Sequence, residues 1–217
     1  MTPPLVDNGM TLQPPEVSAS KRKEASRDGD TLSRDRRVVE AVLDGDREAF
    51  RELVDAYGGE LFGYLYKLTR SQEEAEEIVQ EAIARAYEKL GRFNTRMPFR
   101  PWLYRLATNL AISGKRRKRF AYSLDDMEGV DEWLEDEKGR SPADEAIAAE
   151  RRRRLRAVVD DLPAETRAMV IMFYDKEMSL AEIAIAVRKT PNAVKVALHR
   201  ARERIKATLE TEEGERK

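Results

Sequence analysis

The sequence has no cysteine and a single histidine, His199, in its 217 residues. The lack of cysteine excludes disulfide bonds, zinc sites with thiolate ligands and cysteine nucleophiles. The chain also lacks a glycine-rich loop of the type that cradles phosphate groups, and its candidate metal ligands are not clustered. These absences argue against an enzyme, and we expect neither a metal site nor another cofactor.

Long apolar segments are absent as well. No apolar run approaches the roughly 20 residues that a helix needs to span a membrane. The N-terminus does not follow the basic-then-apolar pattern of a signal peptide. We therefore expect a cytoplasmic protein that does not insert into the membrane.

The chain has almost no net charge, but its charged residues are unevenly distributed. The 40 Lys and Arg residues nearly cancel the 41 Asp and Glu residues, which gives a net charge of −1 at pH 7. Along the chain the charges are segregated, since a basic run covers residues 115–119 and acidic residues crowd into 121–145. The near-neutral total therefore does not argue against binding to nucleic acid.

Apolar residues recur at helical spacing through most of the chain. This pattern predicts an all-α fold of two small helical domains joined by an acidic flexible linker. The N-terminal stretch is rich in proline, glycine and charge, as is typical of disordered segments. The predicted parts are a disordered extension over 1–34, a first domain over 35–120, the linker over 121–145, a second domain over 146–210 and a disordered tail over 211–217.

Capping residues indicate where several helices begin. Asp46 is a suitable N-cap for the first long amphipathic helix. Ser71 with Glu74, and Ser179 with Glu182, have the spacing of capping boxes at two later helices.

The segment 179–206 predicts a helix-turn-helix. A short apolar helix leads to Arg188 and Lys189, and then to Thr190 and Pro191, which suit the N-cap and the first position of a second helix. That second helix has apolar residues on one face and basic residues elsewhere, as in a helix that enters the DNA major groove. A helical hairpin with a solvated charged face is the alternative.

Two further surfaces have a composition that suits macromolecular partners. Glu77, Gln80 and Glu81 lie within about one helical turn, beside the apolar stripe, and can form charge-assisted contacts with a basic surface. An ordinary solvated face is the alternative.

The loop over residues 92–99 and the helix after it mix arginines, amides and aromatic rings, which suits single-stranded DNA. For Trp102 a position in the core is the alternative.

Three passages, in this order, resemble the extracytoplasmic-function (ECF) type of bacterial sigma factor. They are EEIVQEAIARAYEKLGRF, PFRPWLYRLATNLAISGKRRKRF and LPAETRAMVIMFYDKEMSLAEIAIAVRKTPNAVKVALHRARERI. The resemblance covers about residues 36–210. It implies a helical bundle like sigma region 2, followed by a helix-turn-helix domain like sigma region 4.

The resemblance implies a subunit that joins core RNA polymerase and directs promoter-specific initiation, in response to a stress or envelope signal. Its implied partners are the clamp helices of the largest polymerase subunit, the flap of the second-largest subunit, promoter DNA and an anti-sigma factor. Such a protein is associated with the nucleoid when it is part of the holoenzyme.

The resemblance also implies three sets of site residues. The polymerase-binding set is Glu77, Gln80 and Glu81. The minus-ten set is Arg92, Asn94, Arg96, Arg100, Trp102, Arg105, Asn109, Arg116 and Arg117. The minus-thirty-five set is Thr190, Asn192, Lys195, Val196, His199, Arg200 and Arg202.

The turn of the helix-turn-helix departs from the family pattern. Many members have glycine where Arg188 stands and an apolar residue where Lys189 stands. If the turn needs a positive φ, arginine there costs on the order of 1 kcal/mol. A stand-alone regulator that binds DNA as a dimer is the second functional hypothesis, and an enzyme is the third.

Overall fold

The computed structural model describes residues 21–117, 150 and 153–214, with the side chains of 29–113, 150 and 153–209. Within these ranges every regular element is helical, which confirms the predicted all-α fold. The helices are α1 (Lys21–Leu43), α2 (Phe50–Thr69), α3 (Gln72–Lys89), α4 (Phe99–Arg117), α5 (residues 153–160), α6 (Ala164–Tyr174), α7 (Leu180–Val187) and α8 (Pro191–Gly214). Short 3-10 turns at Arg47–Ala49 and Leu90–Arg92 precede α2 and follow α3.

Three predicted caps are confirmed. The Asp46 side chain accepts a hydrogen bond from the backbone N–H of Ala49 at 3.2 Å, at the 3-10 turn that leads into α2. Ser179 and Glu182 form a complete capping box at α7, with bonds of 3.2 and 2.9 Å. Thr190 caps α8 by accepting from the N–H of Ala193 at 3.2 Å, and these bonds satisfy N–H groups that the helices leave free.

At α3 the predicted capping box is only half formed. Ser71 accepts from the N–H of Glu74 at 3.2 Å, as expected. The backbone N–H of Ser71 donates to the hydroxyl of Thr69 at 3.3 Å. Thr69 therefore supplies the acceptor that a capping box would take from the Glu74 side chain. The tight connection between α2 and α3 brings Thr69 close enough for this bond.

Helix α2 is the centre of the first domain, which consists of α1 to α4. Its buried side chains form the wide stripe that the sequence indicated, and α3 packs against it through alanines that are fully buried. Small side chains at these positions allow the two helices to approach closely. A hydrogen bond of 2.8 Å between the hydroxyls of Tyr64 and Thr108 then joins α2 to α4 inside the core.

The second domain consists of α5 to α8 and contains the predicted helix-turn-helix. Ile183, Ala184 and Ala186 are the buried side of α7. The buried side of α8 is Val194, Leu198, Ala201, Ile205 and Leu209. Arg188 ends α7 with φ +56°, so the turn does need the left-handed backbone that glycine adopts most easily.

The two domains pack directly on each other. Helix α4 lies against α7, and α2 lies against α6. The buried residues of both domains belong to one continuous apolar core. The sequence predicted both domains but not this contact between them.

Two helices extend past the predicted domain boundaries. Helix α1 begins at Lys21, inside the stretch 1–34 that composition predicted to be disordered, and the buried residues Asp35, Val38 and Val39 lie in its second half. Helix α8 continues to Gly214, inside the predicted tail 211–217, and its buried Leu209 holds the last turns. The predicted linker over 121–145 lies outside the described residues.

Candidate DNA-binding and polymerase-binding surfaces

The second helix of the helix-turn-helix, α8, presents most of the predicted minus-thirty-five residues to solvent. Burial of Val194 and Leu198 sets the rotation of the helix, so the positions between them point outward. The exposed residues are Thr190, Asn192, Lys195, Val196, His199 and Arg200. Val196 is 41% exposed, which is unusual for a large apolar side chain and suits contact with a thymine methyl group.

Arg202 differs from the other members of this set. Its guanidinium donates hydrogen bonds to the hydroxyl of Tyr174 at 2.8 and 3.1 Å, and the side chain is half-buried. Arg202 therefore ties α8 to α6, and its predicted contact with DNA stays a prediction. Arg204 forms an exposed ion pair with Asp161 at 2.6 Å.

The loop before α4 presents Arg92, Asn94 and Arg96 to solvent. The Asn94 side chain accepts from the N–H of Arg96 at 3.0 Å, and its carbonyl accepts from the N–H of Met97 at 2.9 Å. These two bonds close a tight turn around Asn94. The turn gives the loop a defined shape and leaves the side chain of Arg96 exposed.

An aromatic cluster lies under this loop. Phe93, Phe99 and Trp102 pack with ring centroids 4.7 to 5.7 Å apart. Trp102 is only 6% exposed, so its assignment as a DNA contact is corrected to the alternative, a core residue. The sequence did not distinguish a DNA contact from a core residue here, because a large aromatic ring one turn into a helix suits both roles. Here Trp102 supports the loop from below.

Along α4 the predicted DNA-binding residues have different surroundings. Asn109 is exposed, whereas Arg100 and Arg105 are half-buried against the second domain. Burial and the positive charge of Arg188 lower the pKa of the Arg105 guanidinium. The side chains of Arg116 and Arg117, at the end of α4, lie outside the described residues.

The acidic face of α3 is exposed as the sequence indicated. Glu77, Gln80 and Glu81 all reach solvent on one side of the helix. Glu81 forms an exposed ion pair with Arg85 at 2.6 Å, one turn later on the same helix. A partner cation can displace such a surface pair at little cost, because exposed pairs contribute only about 0 to 1 kcal/mol.

Tyr87 extends this face and was not among the predicted site residues. It lies two turns after Gln80, is 40% exposed and packs edge-on against Phe50 with centroids 5.1 Å apart. The two rings line an open cleft together with Arg47, Arg51 and Val54. The spacing of seven residues from Gln80 was the signal that would have found it.

The sequence also missed the polar residues that join the two domains. Lys67 of α2 forms an ion pair with Asp175, and Arg70 pairs with Asp160 through two nitrogens at 3.0 and 3.1 Å. Arg100 pairs with Glu60 and donates to the carbonyl of Lys176 at 2.8 Å. Nothing in the local sequence marks such pairs, because their members are far apart along the chain.

Two classes of site are not found in the parts of the chain that are described. No three His, Asp or Glu side chains gather there in a way that could hold a metal ion. No described helix is long and apolar enough to cross a membrane. The surfaces that remain are a helix-turn-helix, a basic loop with its helix, and an acidic helix face, which together define a protein of two helical domains that binds DNA.

Comparison with known families agrees with this class. The Sigma-70 region 2 family matches residues 53–121, and the Sigma-70, region 4 family matches residues 152–205. The ECF RNA polymerase sigma factor SigW of Bacillus subtilis is 32% identical over 176 residues, which cover 79% of this chain and 94% of SigW. SigL of Mycobacterium tuberculosis is also 32% identical, over 79% of this chain and 95% of SigL.

Solved structures show the same fold. CnrH, in complex with the cytosolic domain of CnrY, superposes with a TM-score of 0.60 at 22% identity, over 82% of this chain and 98% of CnrH. RpoE of Bartonella quintana, in complex with the anti-sigma factor NepR, superposes with a TM-score of 0.57 at 19% identity, over 74% of this chain and 96% of RpoE.

The family matches and the identity to SigW show that the chain belongs to the ECF family of RNA polymerase sigma factors. It is thus an initiation subunit that binds core RNA polymerase and directs it to promoters.

Proposed function

We propose that three separate surfaces of this chain bind core RNA polymerase, the minus-ten element and the minus-thirty-five element. The acidic face of α3 binds the clamp helices of the largest polymerase subunit. The loop over residues 92–98 and helix α4 bind the minus-ten element, and α8 reads the minus-thirty-five element while its domain meets the flap of the second-largest subunit. The observation that carries the proposal is that the α8 face and the α3 face are both exposed and both fixed in rotation by a buried opposite side.

On α8, three side chains are suited to base edges and one to the backbone. Asn192 can bond adenine with its amide, Lys195 can approach the acceptors of guanine, and Val196 can contact a thymine methyl group. Arg200 is better placed for phosphate, where it contributes affinity but no sequence information. His199 is exposed between these residues and is the remaining candidate for a base contact.

At the minus-ten element the chain needs to bind DNA whose two strands have separated. Unstacking and extruding a base costs a few kcal/mol, which protein contacts need to offset. Arg92 and Arg96 supply exposed cations for the phosphates, and Asn94 supplies an amide beside them. The aromatic cluster under the loop keeps this surface in shape, which lowers the entropy lost on binding.

The chain supplies no catalytic group in this proposal. Phosphodiester chemistry belongs to the polymerase, and the protein acts in the cytoplasm, at the nucleoid, by placing the polymerase on DNA. The CnrH structure contains the cytosolic domain of CnrY, and the RpoE structure contains the anti-sigma factor NepR. By analogy we propose that an anti-sigma factor holds this chain inactive until a stress or envelope signal releases it.

Binding measurements with purified components test the division of work. Fluorescently labelled chain is titrated with core RNA polymerase, and DNA fragments carrying candidate promoters are then added to the free chain and to the complex. We expect tight binding to core, and promoter binding by the complex but only weakly by the free chain. Strong promoter binding by a dimer of the free chain, without binding to core, would instead support a stand-alone regulator.

A further inference from the structure

We infer that an open cleft at the end of the α3 face receives an apolar side chain from core RNA polymerase. The cleft lies between α3 and the start of α2, and its apolar side chains are Phe50, Val54 and Tyr87. We call it the Tyr87 cleft. The inference rests on the proposed function for the polymerase helix that lies along α3, but it adds a contact of a different chemical kind.

Tyr87 combines an exposed ring with a fixed position. The side chain is 40% exposed, whereas Phe50, on which it packs, is only 9% exposed and belongs to the core. The two rings meet edge-on, with centroids 5.1 Å apart and planes at 70°. One side of the Tyr87 ring is thus supported by the first domain while the rest meets solvent. A ring that is already held in place loses little conformational entropy when a partner packs on it.

The face of α3 leads from its acidic residues to the cleft. Gln80, Ile83 and Tyr87 follow one another at helical spacing along the same side, and Ile83 is half-buried between the two exposed residues. The step from Gln80 to Tyr87 covers about 10.5 Å, at about 1.5 Å per residue. A partner helix that pairs with Glu81 and lies along α3 therefore reaches the Tyr87 cleft about two turns later.

The walls of the cleft are charged but balanced. Two arginines, Arg47 and Arg51, line it together with two acids, Glu48 and Asp55. All four side chains are exposed, and none forms an ion pair within the part of the chain that the structure describes. Equal numbers of both signs offer little net attraction to a charged group, so the cleft favours an apolar one. An apolar centre inside a polar rim is the usual arrangement at the energetic centre of a protein interface.

These features define the chemistry of the partner. The polymerase helix carries a basic residue opposite Glu77 and Glu81, and an apolar residue about two turns away on the same side. An exposed ion pair contributes little to affinity, whereas an apolar side chain packed in the cleft is removed from water. The contact with Tyr87 therefore contributes more to the affinity than either ion pair.

Affinity for core RNA polymerase tests the contact. The full-length chain carries Tyr87→Ala, Tyr87→Phe or Leu43→Ala, and a fluorescent label at its N-terminus reports binding. Leu43 is the matched control, because it is 50% exposed but does not line the cleft. We expect Tyr87→Ala to raise the Kd at least tenfold, and the other two variants to leave it nearly unchanged. Circular dichroism checks that each variant stays helical.

Chemical protection locates the contact without changing Tyr87. Because the chain has no cysteine, R51C places a single thiol in the wall of the cleft, and R37C places one at an exposed site on α1. Each variant is treated with a maleimide, with and without core polymerase, and mass spectrometry measures the modified fraction of the chain. We expect core to slow the modification of R51C at least tenfold and to leave that of R37C unchanged, because an occupied cleft excludes the reagent.

Three results would overturn the inference, and they separate it from the proposed function. Loss of core binding in Glu77→Lys with Glu81→Lys, but not in Tyr87→Ala, would keep the acidic face as the interface and remove the cleft from it. Unchanged affinity in all of these variants would contradict both the inference and the proposed role of α3. Protection of R51C in the free chain that grows with chain concentration would assign the cleft to a second copy of the chain.

Discussion

The hydroxyl of Tyr57 in α2 donates a 2.5 Å hydrogen bond to the carboxylate of Asp35 in α1. Arg34 donates to the same carboxylate at 2.6 Å and to the Tyr57 hydroxyl at 3.1 Å. Asp35 is only 3% exposed, so this group of three side chains fixes α1 on the bundle from inside. The contact includes Arg34, one residue before the predicted start of the first domain.

Asp35→Ala tests the importance of this contact. Removing the carboxylate takes the acceptor from the buried Tyr57 hydroxyl and the charged partner from the half-buried Arg34 guanidinium, and we expect a loss of about 2 to 3 kcal/mol in the free energy of unfolding. Urea titration followed by circular dichroism measures it. Glu40→Ala is the control, since Glu40 forms only an exposed pair with Arg36 at 2.8 Å and its loss should cost about 0.5 kcal/mol or less. Equal effects of the two changes would contradict this account.

Arg188→Gly should stabilise the protein. Arg188 has φ +56° at the end of α7, a backbone that costs on the order of 1 kcal/mol for any residue with a Cβ atom. We expect a gain of about 1 kcal/mol in the same urea assay, and removal of a charge beside Arg105 acts in the same direction. Glu203→Gly, in the regular part of α8, should instead cost about 1 kcal/mol. A loss of stability in Arg188→Gly would show that its side chain makes a contact worth more than the strain.

Alkaline pH should unfold the protein through its buried tyrosines. Burial raises the pKa of Tyr57, Tyr64 and Tyr104, and the nearby carboxylates of Asp35 and Glu60 add to the shift for Tyr57 and Tyr104. The unfolded value is about 10. A group whose pKa is raised on folding contributes stability that is fully present below about pH 10 and is lost as the pH rises through the folded value.

Tyrosinate absorbance and circular dichroism, recorded together against pH, check this expectation. Of the seven tyrosines, these three should stay neutral through pH 10 and ionise only as helical signal is lost. Smooth ionisation of all seven near pH 10, with the helices intact, would contradict the burial of these side chains.

Charge reversal on α3 should weaken binding to polymerase without unfolding the helix. Glu77→Lys with Glu81→Lys replaces an attraction to a basic surface by repulsion, and we expect the Kd for core polymerase to rise at least tenfold, or about 1.4 kcal/mol. The helical signal should not change, because both residues are exposed. Glu52→Lys on α2, also exposed, is the matched control and should leave the Kd unchanged. An unaltered Kd in the double variant would remove this face as the interface.

The helices and their starts could be predicted because they depend on residues close in sequence. Asp46, Ser179 and Thr190 each cap a helix through a backbone N–H three residues later, so local spacing was sufficient. The positive φ of Arg188 agrees with the glycine that many family members have at this position. The positive φ of Arg70 and of Glu177 had no such signal.

The docking of the domains could not be predicted, because its contacts join distant parts of the chain. Lys67 and Asp175 are 108 residues apart, and each looks like an ordinary surface charge beside its neighbours in sequence. The burial of Trp102 has a different cause, since its ring packs on Phe93 across a loop whose shape helical periodicity does not predict. Exposure of the α8 face was predictable, because helical periodicity alone separates its two sides.

Transcription in vitro tests the central claim most directly. Purified chain and core RNA polymerase are incubated with fragmented genomic DNA, and the 5′ ends of the RNA are sequenced. We predict discrete starts that core alone does not give, preceded by two shared sequence elements. With Asn192→Ala and Lys195→Ala, only the preference at the upstream element should shift. No new starts beyond those of core alone, despite measurable binding to core, would contradict the assignment of promoter recognition to this chain.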